Sequence, residues 1–231
     1  MLEVSNINLR YGQSQILYDI SLTAQPGQIT ALMGNNGAGK TSLLKAIAGR
    51  HTAFDGQITL NGQSAQFGNP HQAARAGIAY VPQGREVFAM MTVQENLETG
   101  FACLPKDQHM IPDMIFDLFP VLKDMRARRG GDLSGGQQQQ LAIARALIAQ
   151  PKVLLLDEPT EGIQPNVIEQ IGDALRLLRE QGNMAIVLVE QNADFAYALG
   201  DAFTLIASGR HQMSAAKSEL SKPDLIAEMA L

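Results

Sequence analysis

Apolar and polar residues divide the 231-residue chain into short blocks that predict both strands and helices. Residues 2–24 read as two strands around the turn "RYGQSQ", and "ITALMG" (29–34) as a buried strand running into a Gly-rich turn. "KTSLLKAIAG" has apolar positions at helical spacing with a Gly where a C-terminal cap belongs. "GQITLNGQ" reads as a strand with turns on either side. "NPHQAARAG" reads as a short helix with Asn69 as N-cap, Pro70 at its first position and Gly77 after its end. "IAYVPQ" is a strand with a polar end.

Residues 84–150 have helical periodicity and no convincing strand. Thr92 to Glu95 has the capping-box pattern at the head of one helix, with further helices expected over Met110–Phe119 and Ser134–Ala149. Then come the strand in "VLLLDEP", a helix from about Pro165 to Gln181, the strand "MAIVLVE" and a helix from about Asn192 to Leu199. The segment "AFTLIASGRHQMSA" reads as a hairpin by its Ser-Gly turn, and a last helix follows. Strands alternating with helices imply a mostly parallel sheet with a helical lobe inserted in the middle.

A hydrophobic content of 45% and a charged content of 18% are ordinary for a globular domain. The net charge of −5, without a Lys/Arg block, argues against a nucleic-acid partner. Cys103 is the single cysteine, which excludes an internal disulfide and a cysteine-based zinc site and fits a reducing compartment. The start "MLEVSNINLRYG" lacks the apolar region of a signal peptide, and the runs "VLLL" and "AIVLV" fall short of the ~20 residues that span a bilayer. The expectation is a soluble protein, or one that meets a membrane only through a partner.

Three segments carry the chemistry. "GNNGAGKT" (Gly34, Asn35, Asn36, Gly37, Ala38, Gly39, Lys40, Thr41, with Ser42 next) fits G-x-x-x-x-G-K-[ST] between a strand and a helix. Its glycines let backbone N–H groups curl around phosphates, Lys40 would bridge the β- and γ-phosphates, and the Thr41 hydroxyl would bind Mg²⁺. "VLLLDEP" places Asp157 at a strand's C-terminal end, where it would hold Mg²⁺ through water, with Glu158 as a candidate base for the attacking water. "LSGGQ" (Leu133, Ser134, Gly135, Gly136, Gln137) opens a helix and makes a second anion-binding N-terminus. One nucleotide needs one such cradle, so the second suggests that two chains close head to tail on shared ATPs.

With these motifs the chain resembles the ATP-binding subunits of ABC transporters over essentially its whole length. The resemblance implies a P-loop NTPase (RecA-like) core with an antiparallel β subdomain, formed by 1–83 and 151–231, and a helical signature subdomain over 84–150. It implies ATP and Mg²⁺ as cofactors, a second ATPase subunit, two transmembrane permease subunits, and indirect contact with a substrate-binding protein. The chain would sit on the inner face of the cell membrane through the permeases. Gln83 matches the Q-loop glutamine, which touches Mg²⁺ and the water, and Tyr11 matches the aromatic that stacks on adenine. "PQGREVFAMMTVQENL" is similar to the branched-chain amino acid importers, and "DEPTEGIQP", through Glu161 to Pro165, to the corresponding subunit of urea importers. A small solute is the implied cargo, urea first, with branched-chain amino acids or short amides next.

Two positions depart from the family's common pattern. The D-loop, usually Ser-Ala-Leu-Asp, reads "EGIQ" here and ends in Gln164. The strand "IVLVE" is followed by Gln191, where the family commonly has a histidine contacting the γ-phosphate. His51, His71, His109 and His211 all lie elsewhere in the chain. A glutamine can position water or bond a phosphate oxygen, but it carries no charge and transfers no proton. Glu158 is retained, so the chain reads as the weaker or specialised half of a heterodimer. A soluble ABC ATPase uncoupled from transport, as in cluster assembly, and a regulatory binder that never hydrolyses are the alternative readings.

Overall fold

The computed structural model describes residues 1–52 and 54–229. The strands are β1 (Leu2–Tyr11), β2 (Ser14–Ala24), β3 (Ile29–Met33), β4 (Phe54–Leu60), β5 (Gln63–Ser64), β6 (Ile78–Val81), β7 (Val153–Asp157), β8 (Ala185–Glu190), β9 (Ala202–Ala207) and β10 (Arg210–Ala216). The helices are α1 (Lys40–Ile47), α2 (Pro70–Ala76), α3 (Val93–Glu98), α4 (Asp113–Leu118), α5 (Pro120–Asp124), α6 (Gly135–Ile148), α7 (Pro165–Glu180), α8 (Ala193–Leu199) and α9 (Lys222–Met229). The strands lie in the order β5-β4-β1-β2-β10-β9-β3-β8-β7-β6.

From β9 to β6 neighbouring strands run parallel, and β3, β7 and β8 are buried on every residue. Strands covered on both faces cannot alternate, which is why they read as unbroken apolar runs. The pairs β1–β2, β1–β4, β4–β5 and β9–β10 are antiparallel, so the sheet is mixed. The Ser208-Gly209 turn joins β9 and β10, both residues having positive φ (48° and 75°), as a tight hairpin requires. A Cβ on Gly209 would stand 1.9 Å from the Ile16 carbonyl oxygen, so only glycine fits.

The strand register aligns the carboxyl ends that matter. Met33 pairs with Glu190, Asp157 with Val189 and Val81 with Leu156. Because β8 lies between β3 and β7, its last residue falls between the glycine-rich turn and Asp157. Loops leaving this edge open the crevice where α/β sheets bind ligands.

Several local expectations hold. Asn69 caps α2 by accepting from the Gln72 N–H, with Pro70 first in the helix and Gly77 at its end (φ 102°). Thr92 and Glu95 form the reciprocal capping box of α3. One expectation changes. The helix expected over Met110–Phe119 is confined to Asp113–Leu118, because Pro112 stands at its cap, and Pro120 starts α5 as a separate helix. The absence of a strand over 84–150 holds among the described residues, where pairing is limited to an isolated bridge, Thr92 to Arg129.

Candidate active site

The turn after β3 is shaped for close approach. Gly34 has φ 149°, and a Cβ there would lie 2.1 Å from the Ile206 carbonyl oxygen. Gly39 caps α1 in the left-handed region (φ 101°) with no side-chain hydrogen bond, leaving the first N–H groups of the helix without a cap from that residue. Lys40 is 4% exposed and its ammonium folds back on the loop, donating to the carbonyls of Gly34 (2.8 Å) and Asn35 (3.1 Å). It also stands 3.5 Å from Glu158 Oε1. A cavity of about 330 Å³ opens here, lined by Asn36 to Ser42 together with Tyr11, Ile16, Gln83 and Glu158.

Beside the cavity, Thr41 Oγ1 donates to Asp157 Oδ1 (3.0 Å) and the Tyr80 hydroxyl to Asp157 Oδ2 (2.9 Å). Burial holds the Asp157 carboxyl above its ordinary pKa, against the pull of these two hydrogen bonds. Tyr80 is pushed far up, first by burial and then by the charge of Asp157, so it remains a phenol and a donor. Glu158 has φ 48°, an uncommon conformation for a residue with a Cβ. Its N–H donates to the Val189 carbonyl (2.9 Å), and its carboxylate accepts from Gln191 Nε2 (2.7 Å) and Gln83 Nε2 (3.3 Å). Gln83 also donates to Glu161 Oε2 (2.7 Å).

The residues fit a nucleotide and a hard cation. A lysine and helix N–H groups face the cavity, and a hydroxyl and a carboxylate oxygen stand 3.0 Å apart beside it. Among the described residues no three His, Cys, Asp or Glu cluster as a self-sufficient metal cage. That suits Mg²⁺, which is usually held by one or two protein oxygens plus phosphates.

The structure therefore gathers Tyr11, the glycine loop, Lys40, Thr41, Gln83, Asp157, Glu158 and Gln191 at one edge. It leaves other candidates outside. Leu133 is buried, whereas Ser134 is exposed at the cap of α6, in a capping box with Gln137. Gly136 packs so tightly on α7 that a Cβ would meet Val167 at 2.9 Å. Gln164 is exposed at the cap of α7. None of the four histidines lines the cavity; His51 packs its ring on Tyr11 at 4.4 Å.

Sequence reading missed Tyr80, Thr160 and Glu190. Tyr80 is hidden inside an apolar strand. Glu190 carried one signal: it is an acid closing a run of five buried apolar residues.

A buried lysine in a glycine loop, opposite an Asp-Glu pair at the carboxyl edge of a parallel sheet, defines a P-loop nucleotide hydrolase. Residues 17–161 match the family model described as "ABC transporter". The chain is 41% identical over 211 residues to the high-affinity branched-chain amino acid transport ATP-binding protein BraG of Pseudomonas aeruginosa, covering 91% of this chain and 90% of the relative. It is 40% identical over 223 residues to the probable branched-chain amino acid transport ATP-binding protein LivF of Archaeoglobus fulgidus, covering 95% and 94%. A solved nucleotide-free ATP-binding cassette from an ABC transporter superposes with a TM-score of 0.85 at 23% identity, over 98% of this chain and 94% of that one. The chain belongs to the ABC transporter family and is an ATPase of that class. Among its described residues no helix is long and apolar enough to cross a membrane.

Proposed function

We propose that the chain is the ATP-hydrolysing subunit of an importer for a small solute, with branched-chain amino acids as the solute class. The observation that carries the mechanism is the meeting of Lys40, Glu158 and Gln191 around one carboxylate beside the glycine loop. In this reading Tyr11 stacks on adenine, and the N–H groups of Asn36 to Ser42 hold the phosphates. Lys40 exchanges its loop carbonyls for phosphate oxygens. Thr41, Gln83 and Asp157 would hold Mg²⁺, whose charge would offset that of the phosphates. Glu158 polarises the attacking water, and Gln191 orients it.

The α6 N-terminus stands outside the chain's own cavity, which supports a head-to-tail arrangement in which Leu133 to Gln137 serve the partner's ATP. Gln164 would run along that seam. Gln191 supports a non-identical second ATPase subunit. A groove of about 400 Å³ bordered by Tyr80, Glu86, Phe88 and Arg145 offers a face for a permease, with a substrate-binding protein acting indirectly.

The solute class rests on the relatives, whose names carry branched-chain amino acid transport. Urea is the second reading and rests on Glu161 to Pro165 alone. The deciding experiment is ATP turnover by the reconstituted transporter with leucine, isoleucine, valine or urea. Stimulation by the amino acids supports the first reading, stimulation by urea alone replaces it, and no stimulation by any of them removes the solute assignment. Trapping of ADP with vanadate at the Glu158 site tests hydrolysis itself.

A further inference from the structure

We propose that Glu190 is a positioning residue for hydrolysis, a buried staple that fixes the turn carrying Glu158 against the loop carrying Gln191. The proposal rests on the reading of Glu158 given above. Glu190 is 2% exposed, and an unpaired carboxylate at that depth would be very costly. It accepts from four donors, divided evenly between its oxygens. Oε1 takes the Thr160 N–H (3.2 Å) and the Thr160 hydroxyl (2.8 Å). Oε2 takes the N–H groups of Gln191 (3.2 Å) and Asn192 (3.4 Å). One oxygen therefore holds the segment after β7 and the other the segment after β8.

The contacts on either side make this more than a local cap. The residue before Glu190 holds Glu158 from the backbone side, through the Val189 carbonyl at 2.9 Å. The residue after it holds Glu158 from the carboxylate side, through Gln191 Nε2 at 2.7 Å. Glu158 must keep φ 48° between these two restraints, and Thr160 is two residues further on. The staple thus fixes the distance between the two loops and, through it, the direction of the Glu158 carboxylate. The rise of the Glu190 pKa with burial, opposed by the same four hydrogen bonds, agrees with a site shaped around this side chain. A glutamine of the same size would keep one acceptor oxygen and turn an NH₂ toward N–H donors, opening one half of the staple.

The test uses the full-length chain, with turnover at saturating Mg-ATP and ATP affinity measured separately. Glu190→Gln is expected to lower kcat by roughly 10- to 100-fold, with the ATP Kd unchanged within about twofold. Adding Gln191→Ala to it should cost far less than Gln191→Ala costs the parent chain, because the two act as one unit. Thr160→Val, which removes only the hydroxyl, should lower kcat in the same direction by less. The proposal is overturned by a folded Glu190→Gln chain with parental kcat, by kcat and affinity falling together, or by additive losses in the double variant. Should Glu190→Gln fail to fold, Thr160→Val decides, and parental kcat there overturns the proposal. Glu158→Gln separates the two readings. If it retains turnover, the role of Glu158 falls and this proposal with it; if it is inactive while Glu190→Gln is fully active, only the staple falls.

Discussion

Gln191 and Lys40 approach the same Glu158 oxygen, at 2.7 and 3.5 Å, so the glutamine amide takes part in fixing that carboxylate. Removing the amide loosens the carboxylate, while the loop proposed to bind the phosphates is untouched. Gln191→Ala should therefore lower kcat by about tenfold, the worth of one charge-assisted hydrogen bond, with little change in the KM for ATP. Phosphate release by the assembled complex reads this directly; a KM effect at constant kcat would move Gln191 from hydrolysis to binding. A second prediction concerns Asp157. Burial raises its pKa in the folded chain above the unfolded value, so the folded state holds the proton more tightly. The ionised group therefore costs stability above its folded pKa, and the cost disappears below the unfolded one. Asp157→Asn removes a buried charge, and the Thr41 and Tyr80 hydroxyls can rotate to serve an amide. The Tm of the nucleotide-free variant should exceed the parent's near pH 7.5, and the gain should shrink toward about pH 4.5. Thermal melts showing the same gain at both pH values would contradict the assignment.

At the scale of elements, the glycine loop is supported from an unexpected direction, the β9–β10 hairpin. The Gly209 N–H donates to the Ala38 carbonyl (3.1 Å), and the Gly209 carbonyl accepts from the Tyr18 N–H (2.7 Å). Gly209→Ala would force a Cβ against the Ile16 carbonyl at positive φ. It should cost about 2–4 kcal/mol of stability and weaken ATP affinity through Ala38, as denaturant melts and nucleotide titration would show. Such a link spans distant segments, which is why the hairpin was legible in "ASGRH" and its support of the glycine loop was not. The same division runs through the site. Lys40, Thr41, Asp157 and Glu158 stand out in the sequence because the phosphate chemistry proposed for them asks for those types next to glycine or at a strand end. Tyr80 and Glu190 do not, because their roles exist only once β6, β7 and β8 lie side by side. The helix expected over Met110–Phe119 is shorter for a local reason: Pro112 stands at its N-cap, and the separate helix that Pro120 starts follows directly.

Among the described residues, the cavity lined by Asn36 to Ser42 is the one proposed to take the phosphates, and the N-terminus of the fourteen-residue α6 does not line it. Two chains facing head to tail would put each such N-terminus over the other's nucleotide. Whether both chains are copies of this one turns on Gln191. A neutral amide holds Glu158, and at the proposed position it would supply no positive charge to a transferring phosphoryl group, which would remove part of the electrostatic stabilisation such sites provide. This chain should then turn over slowly by itself and faster beside a subunit whose own site is complete. The Glu158→Gln variant, which is expected to bind ATP without hydrolysing it, should form a dimer with that second subunit in preference to itself, as sedimentation with ATP would show. Turnover is the sharper measure. An isolated chain that matches the assembled transporter, with a rate unchanged by Gln191→Ala, would rule out both the weaker half and the part given to Gln191. A rate that rises on assembly and falls in Gln191→Ala supports both.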